Sequence, residues 1–156
     1  MVRARKGFTL VELLIVIVII GILASAMMLS GGSATAAAEA SNVISDLRSM
    51  KAAALMFFAD SMDDIGSIST LQVTYLAPYM DNPDKFTTGG SPYRFANGGA
   101  GLTNKWFVGY ALDQAKKSPE VKKKLQGKAR STGLLAGTGS LSTTFTTGTM
   151  VWMVAR

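Results

Sequence analysis

Glu12 is a lone carboxylate set into an apolar run that extends from Phe8 to Leu29. Its type and position suit one kind of chemistry, the capture of a cation in a low-dielectric setting. An acidic residue at the centre of a membrane helix costs roughly 2.5–3.5 kcal/mol, and less near an end. A cation brought beside it offsets that cost, and removing one partner leaves an uncompensated charge. Such a pair can select the register between chains as well as stabilise it. Gly7 stands immediately before the run and has no side chain, which suits close approach by a protease. The plainer reading of Glu12 is a carboxylate at a helix end that makes no specific pair.

Two further sets of residues carry charge. Lys116, Lys117, Lys122, Lys123, Lys124, Lys128 and Arg130 fall within 15 positions. Such a cluster can bind phosphate, as in nucleic-acid adhesion or uptake. It can equally complement an acidic patch on a neighbouring subunit, or form a solvated helix face. Few aromatics interleave, so stacking on single strands is not supported. Asp60, Asp63, Asp64, Asp81 and Asp84 offer oxygen atoms to calcium. Their spacing matches no calcium loop and reads as turn chemistry, so no metal site is expected.

The chain has no histidine and no cysteine. That removes the commonest general base, the common zinc ligands and every nucleophile pair built on them. Serine–lysine chemistry is left by composition, but no motif points to it. The expectation is a protein that is not an enzyme, with no catalytic residue and no cofactor. With no cysteine there are also no disulfides to stabilise the fold.

The elements that must position Glu12 follow from length. The 22 residues Phe8–Leu29 make a helix of roughly 33 Å, enough for a bilayer core of about 30 Å. Arg3, Arg5 and Lys6 precede the run and the next basic residue is Arg48, which places the N-terminus in the cytoplasm. A secretory signal peptide cut at Ala24-Ser25-Ala26, before Met27, is a second reading, and an uncleaved anchor a third. Against the signal peptide stand the length of the run and the charge inside it.

The stretch Lys6 to Ala24, KGFTLVELLIVIVIIGILA, closely resembles the N-terminus of type IV pilins and of the pseudopilins of type II secretion. The basic stub, glycine, aromatic residue and glutamate stand in the family's register, and the resemblance covers about the first thirty residues. It implies a leader, residues 1–7, that a prepilin peptidase removes by cutting between Gly7 and Phe8, with methylation of the new amine on Phe8. It implies that Glu12 pairs with the N-terminal amine of a neighbouring subunit. It further implies residence in the inner (cytoplasmic) membrane, an inner-membrane assembly platform, and a helical homo-polymer outside. Cleavage would lower the formal net charge from +6 to +3. Two departures stand out. The family often has a proline where this chain has Leu29; Gly31-Gly32 follows instead and is expected to supply the flexible joint. Many pilins also carry a C-terminal disulfide.

The rest of the chain reads as α+β. Residues 8–30 form the transmembrane or filament-core half of a long N-terminal α-helix, and residues 31–60 its amphipathic half. Ala40, Val43, Ile44, Leu47, Met50, Ala54, Phe57 and Phe58 follow helical steps and should pack on a small antiparallel sheet. Residues 61–156 form the globular head. Ser69 or Thr70 is expected to cap a short helix that carries Leu71, Tyr75 and Leu76 and ends at Pro78. Lys105–Leu112 alternates as a strand, with Trp106, Val108, Tyr110 and Leu112 on one face and Phe107 and Ala111 on the other. Pro119–Lys128 is a short basic helix capped by Ser118. Thr149–Ala155 is a second strand, and Thr138–Thr149 an edge strand, hairpin or loop. Gly133-Leu134-Leu135-Ala136-Gly137 has GxxxG spacing outside any long apolar helix and is discounted.

The function expected from these readings is a structural filament subunit. It would be a type IV pilin serving adhesion, surface motility, DNA uptake or secretion, or a pseudopilin acting as a short piston. A secreted soluble binding protein with a discarded signal is the competitor from another class.

Overall fold

Straight-chain residues and alanine favour a helix, and no proline occurs between Met1 and Ala77. In the computed structural model, which describes residues 7–61, 72–98, 102, 105–137 and 144–156, one helix, α1, spans Leu10–Asp60. Its backbone is helical at Gly31 and Gly32, the pair expected to supply a flexible joint. The chain divides into two compact units, 1–35 and 36–156, each described here by itself.

In the second unit, α1 buries Ala36, Ala40, Val43, Ile44, Leu47, Met50, Ala53, Ala54 and Phe57. These recur at three- and four-residue steps, so one stripe faces the core. Phe58, expected on that stripe, is only half-buried. Beneath the stripe lies a four-stranded sheet in the order β1-β2-β4-β3, built from Tyr93–Asn97, Trp106–Ala111, Met150–Val154 and, for β3, Leu134–Leu135. Every neighbouring pair is antiparallel. Aromatic packing ties helix to sheet, with the Phe57 ring 5.7 Å from Trp106 and 5.8 Å from Tyr75. The long-helix-on-small-sheet α+β class is as the sequence predicts.

The central strand β2 is buried along its whole length, so both faces are covered. Its close pairing with β4 needs Gly109, where a Cβ would collide with the Trp152 indole. Helix α3 spans Pro119–Thr132, with Ser118 accepting from the Val121 N–H and Gly133 closing it at φ 68°. It runs four residues past the expected end because Ala129 continues the Val121 and Leu125 stripe into the core. Gly133 is thus a helix cap, and the two leucines after it form β3 instead of an idle GxxxG segment.

Other differences lie where local patterns are short. A 3-10 helix covers Val73–Tyr79 with Pro78 inside it and no side-chain cap at Gln72. Ser69, Thr70 and Leu71 lie outside the described residues. A single helical turn, α2, spans Asp84–Thr87 and buries Phe86. Of the 138–149 stretch, residues 138–143 are outside the described set; Thr144 bridges to Leu135, and Phe145 is fully buried.

Candidate functional site

The N-terminus of α1 is built from four residues, Gly7, Phe8, Thr9 and Glu12. Gly7 and Phe8 precede the first helical residue, and Phe8 is 90% exposed. Among the described residues, a Cβ at Gly7 would meet nothing within 4 Å. Thr9 and Glu12 then lock the first turn. The Glu12 carboxylate accepts from the Thr9 N–H at 2.8 Å and from the Thr9 hydroxyl at 2.7 Å. The Glu12 N–H donates back to Thr9 Oγ1 at 3.2 Å. This is a reciprocal capping box, which satisfies donors that a helix start leaves unpaired. Within one chain, then, Glu12 is a helix cap served by neutral donors. Thr9 is not among the residues singled out from the sequence, although Thr-x-x-Glu ahead of an apolar run is a recognisable signal.

Beyond Glu12 the helix presents apolar side chains on every side. Leu13 to Ile20 are each 51–62% exposed, and Met28 is 87% exposed. A helix apolar all round is a buried or membrane helix, not a surface one. Ser25 donates its hydroxyl to the Gly21 carbonyl at 2.8 Å, so that polar group needs no water. The segment is long and apolar enough to cross a membrane.

The basic segment does not converge on one face. Lys117 pairs with Glu39 of α1 at 2.8 Å, and that hydrogen bond raises the pKa of the ammonium. Lys128 donates to Ser41 at 2.8 Å. Lys116, Lys123 and Arg130 are exposed, while Lys122 and Lys124 are half-buried along α3. The fold gathers other cations instead: Arg48 and Lys51 of α1 and Lys105 line a cavity of about 530 Å³. Arg48 also lines, with Lys128, an adjoining cavity of about 260 Å³. These residues are far apart in sequence, and no local pattern marks them.

The aspartates are spread as well. Asp46 accepts from Lys85 at 2.6 Å and from the Tyr93 hydroxyl. Burial, and then that hydrogen bond, pushes the Tyr93 phenol well above its usual range. Asp60 accepts from the Tyr79 hydroxyl at 2.8 Å. Asp63 and Asp64 lie outside the described residues, among which no group of three or more histidine, cysteine, aspartate or glutamate side chains is placed to hold a metal.

The most developed arrangement is therefore the N-terminal one: Gly7 and Phe8 ahead of the helix, a capped Glu12 and an uncovered apolar helix. No curated protein and no solved structure matches the chain. A family model does: residues 2–28 match the prokaryotic N-terminal methylation motif. The matched span contains all four of those residues, and through it the chain carries the N-terminal signature of type IV pilins and pseudopilins.

Proposed function

We propose that this chain is the structural subunit of a type IV pilus-like filament. It is inserted in the cytoplasmic membrane with its N-terminus inside, trimmed between Gly7 and Phe8, methylated on Phe8 and polymerised through residues 8–30. The observation that carries the reading is the helix Leu10–Met28, whose apolar side chains find no cover within the unit that contains them. Each large aliphatic side chain gains about 1.5–3 kcal/mol when fully buried, so the uncovered run drives either membrane residence or packing between subunits. Both follow in sequence if the helix leaves the bilayer for a filament core.

Glu12 supplies register in this proposal. Its capping partner Thr9 offers neutral donors, whereas the amine freed at Phe8 is a cation. A charge-assisted pair is roughly twice as strong as a neutral hydrogen bond, so a neighbour's amine competes well for the carboxylate in a dry core. The role is structural and not catalytic.

Intact-mass and N-terminal peptide mass spectrometry test the processing. A start at N-methylated Phe8 supports the subunit reading. A start at Met27 makes the apolar run a discarded signal and turns the chain into a soluble binding protein. Glu12→Ala should leave insertion and cleavage intact but remove most filaments, and normal filament yield in that variant would sink the pairing.

A further inference from the structure

The amphipathic half of α1 carries opposite charge on its two flanks. One flank is the basic groove, with Arg48, Lys51 and Lys105 around a floor that includes Leu135, Met153 and Val154. Among the described residues no carboxylate lines it. Across the buried stripe of Leu47, Met50 and Phe57 lies a second groove of about 470 Å³. It is lined by Asp46, Asp81, Met56, Met80 and Lys85. Asp60 reaches its wall through the hydrogen bond from Tyr79, and Asp84 begins the α2 turn beside Lys85. Lys85 is matched by Asp46, so Asp60, Asp81 and Asp84 set the sign of this side. Met56 stands 55% exposed in its middle.

We propose that these two grooves dock on each other between copies of the chain. The acidic flank of one copy, led by Met56, sits on the Leu135–Met153–Val154 floor of the next. Asp81 and Asp84 then face Arg48, Lys51 and Lys105 across the rim. An apolar centre with a charged rim is the usual make-up of a protein interface. A phosphate backbone would use the cations but has no use for the apolar floor, which is why a second copy fits better than nucleic acid. The two patches are different surfaces, so the contact is heterologous and propagates into an open helical array instead of closing as a two-fold dimer. The inference rests on the filament-subunit reading and adds to it a site between the head domains, independent of the apolar helix.

The chain has no cysteine, so introduced thiols are the only ones present. Lys51→Cys and Asp81→Cys, separately and together in the full chain, are treated with a short bis-maleimide in sheared filaments. The double variant should give a ladder of dimers, trimers and longer species, and each single variant none. Arg48→Glu with Lys105→Glu, all at exposed positions, should lower filament yield roughly tenfold, because like charges then face each other. Adding Asp81→Lys and Asp84→Lys to the same chain should restore it. Filaments of the double-cysteine variant without a ladder, and reversals without effect, overturn the docking and leave the subunit reading intact. A dimer from either single variant overturns it in favour of a two-fold contact. Reversals that abolish retention of duplex DNA but spare filaments and ladder-free heads overturn it in favour of nucleic acid. Absence of filaments in the parent chain overturns the subunit reading and this contact with it.

Discussion

The two halves of α1 share a backbone conformation but not an economy of side chains. From Leu10 to Met28 the large apolar residues are all at least half exposed. From Ala36 to Phe57 every third or fourth residue is sealed, and Leu47 and Met50 are wholly buried. The first half has hydrophobicity without periodicity, so no single face can satisfy it. The second has periodicity and polar residues between, so one sheet suffices. Helix formation alone therefore does not tell a scaffold from an assembly element; the distribution of apolar residues around the axis does.

The sharpest way to break this comparison is to truncate one side chain in each half. Leu47→Ala should destabilise the head by about 2–5 kcal/mol, because it leaves a cavity in a fully packed site. Ile17→Ala, at a residue 59% exposed, should leave head melting unchanged while weakening membrane retention or filament packing. Near-ultraviolet circular dichroism melts of the full chain in detergent report the first. An equal loss for Ile17→Ala would show that the apolar half has a hidden partner within the chain.

A smaller effect is expected where the packed half meets its sheet. Gly109→Ala drives a methyl into the Trp152 ring at the β2–β4 pairing. Overpacking of this kind costs about 1–3 kcal/mol. Loss of near-ultraviolet indole signal with retained helical signal would locate the damage at that strand pair.

Smaller again is the response to alkaline pH, which only the second unit should show. Burial raises the phenol pKa of Tyr93 and Tyr110, and the bond to Glu39 raises that of Lys117. Each group holds its proton more tightly when folded than when unfolded. Its contribution is therefore complete below the unfolded value, about 10 for tyrosine, and is lost as pH rises through the folded one. Melting temperature should fall as pH climbs past about 10, and Tyr93→Phe should flatten part of that fall at a cost of about 1 kcal/mol at neutral pH. A melting temperature constant across that window would contradict the buried Tyr93–Asp46 pair.

What was legible in the sequence tracks the range of the interaction. The stripe from Ala40 to Phe57 repeats over several turns, and Ser118-Pro119 and Gly133 carry their capping roles locally. Ser118-Pro119 is plain as a helix start, whereas Gly133 also fits a GxxxG spacing with Gly137 that masks its role as a cap. Strand β1 stands between Pro92 and Gly98, residues that mark loops, and β3 is only two residues long, so neither carries a strand signal of its own. Leu134-Leu135 is a strand only because Met153 and Trp152 lie opposite, nearly twenty residues away. The candidate site divides the same way. Gly7, Phe8 and Glu12 lie within six consecutive residues and are readable, whereas Arg48, Lys51 and Lys105 meet only after the sheet forms.

The smallest effect tests the junction between the halves. Gly31-Gly32 reads in the sequence as a flexible joint, and both residues are helical in α1. At Gly32 a Cβ meets nothing within 4 Å, so Gly32→Ala is sterically free. Alanine in a helix interior is favoured over glycine by about 0.5–1 kcal/mol, so helicity of the long helix should rise slightly. Two outcomes separate the roles of the pair. If filaments form normally, an unbroken helix is compatible with assembly and the glycines only lower its stability. If filament yield falls while helicity rises, assembly requires the bend that glycine permits, and the continuous helix is the conformation that must open before a subunit docks.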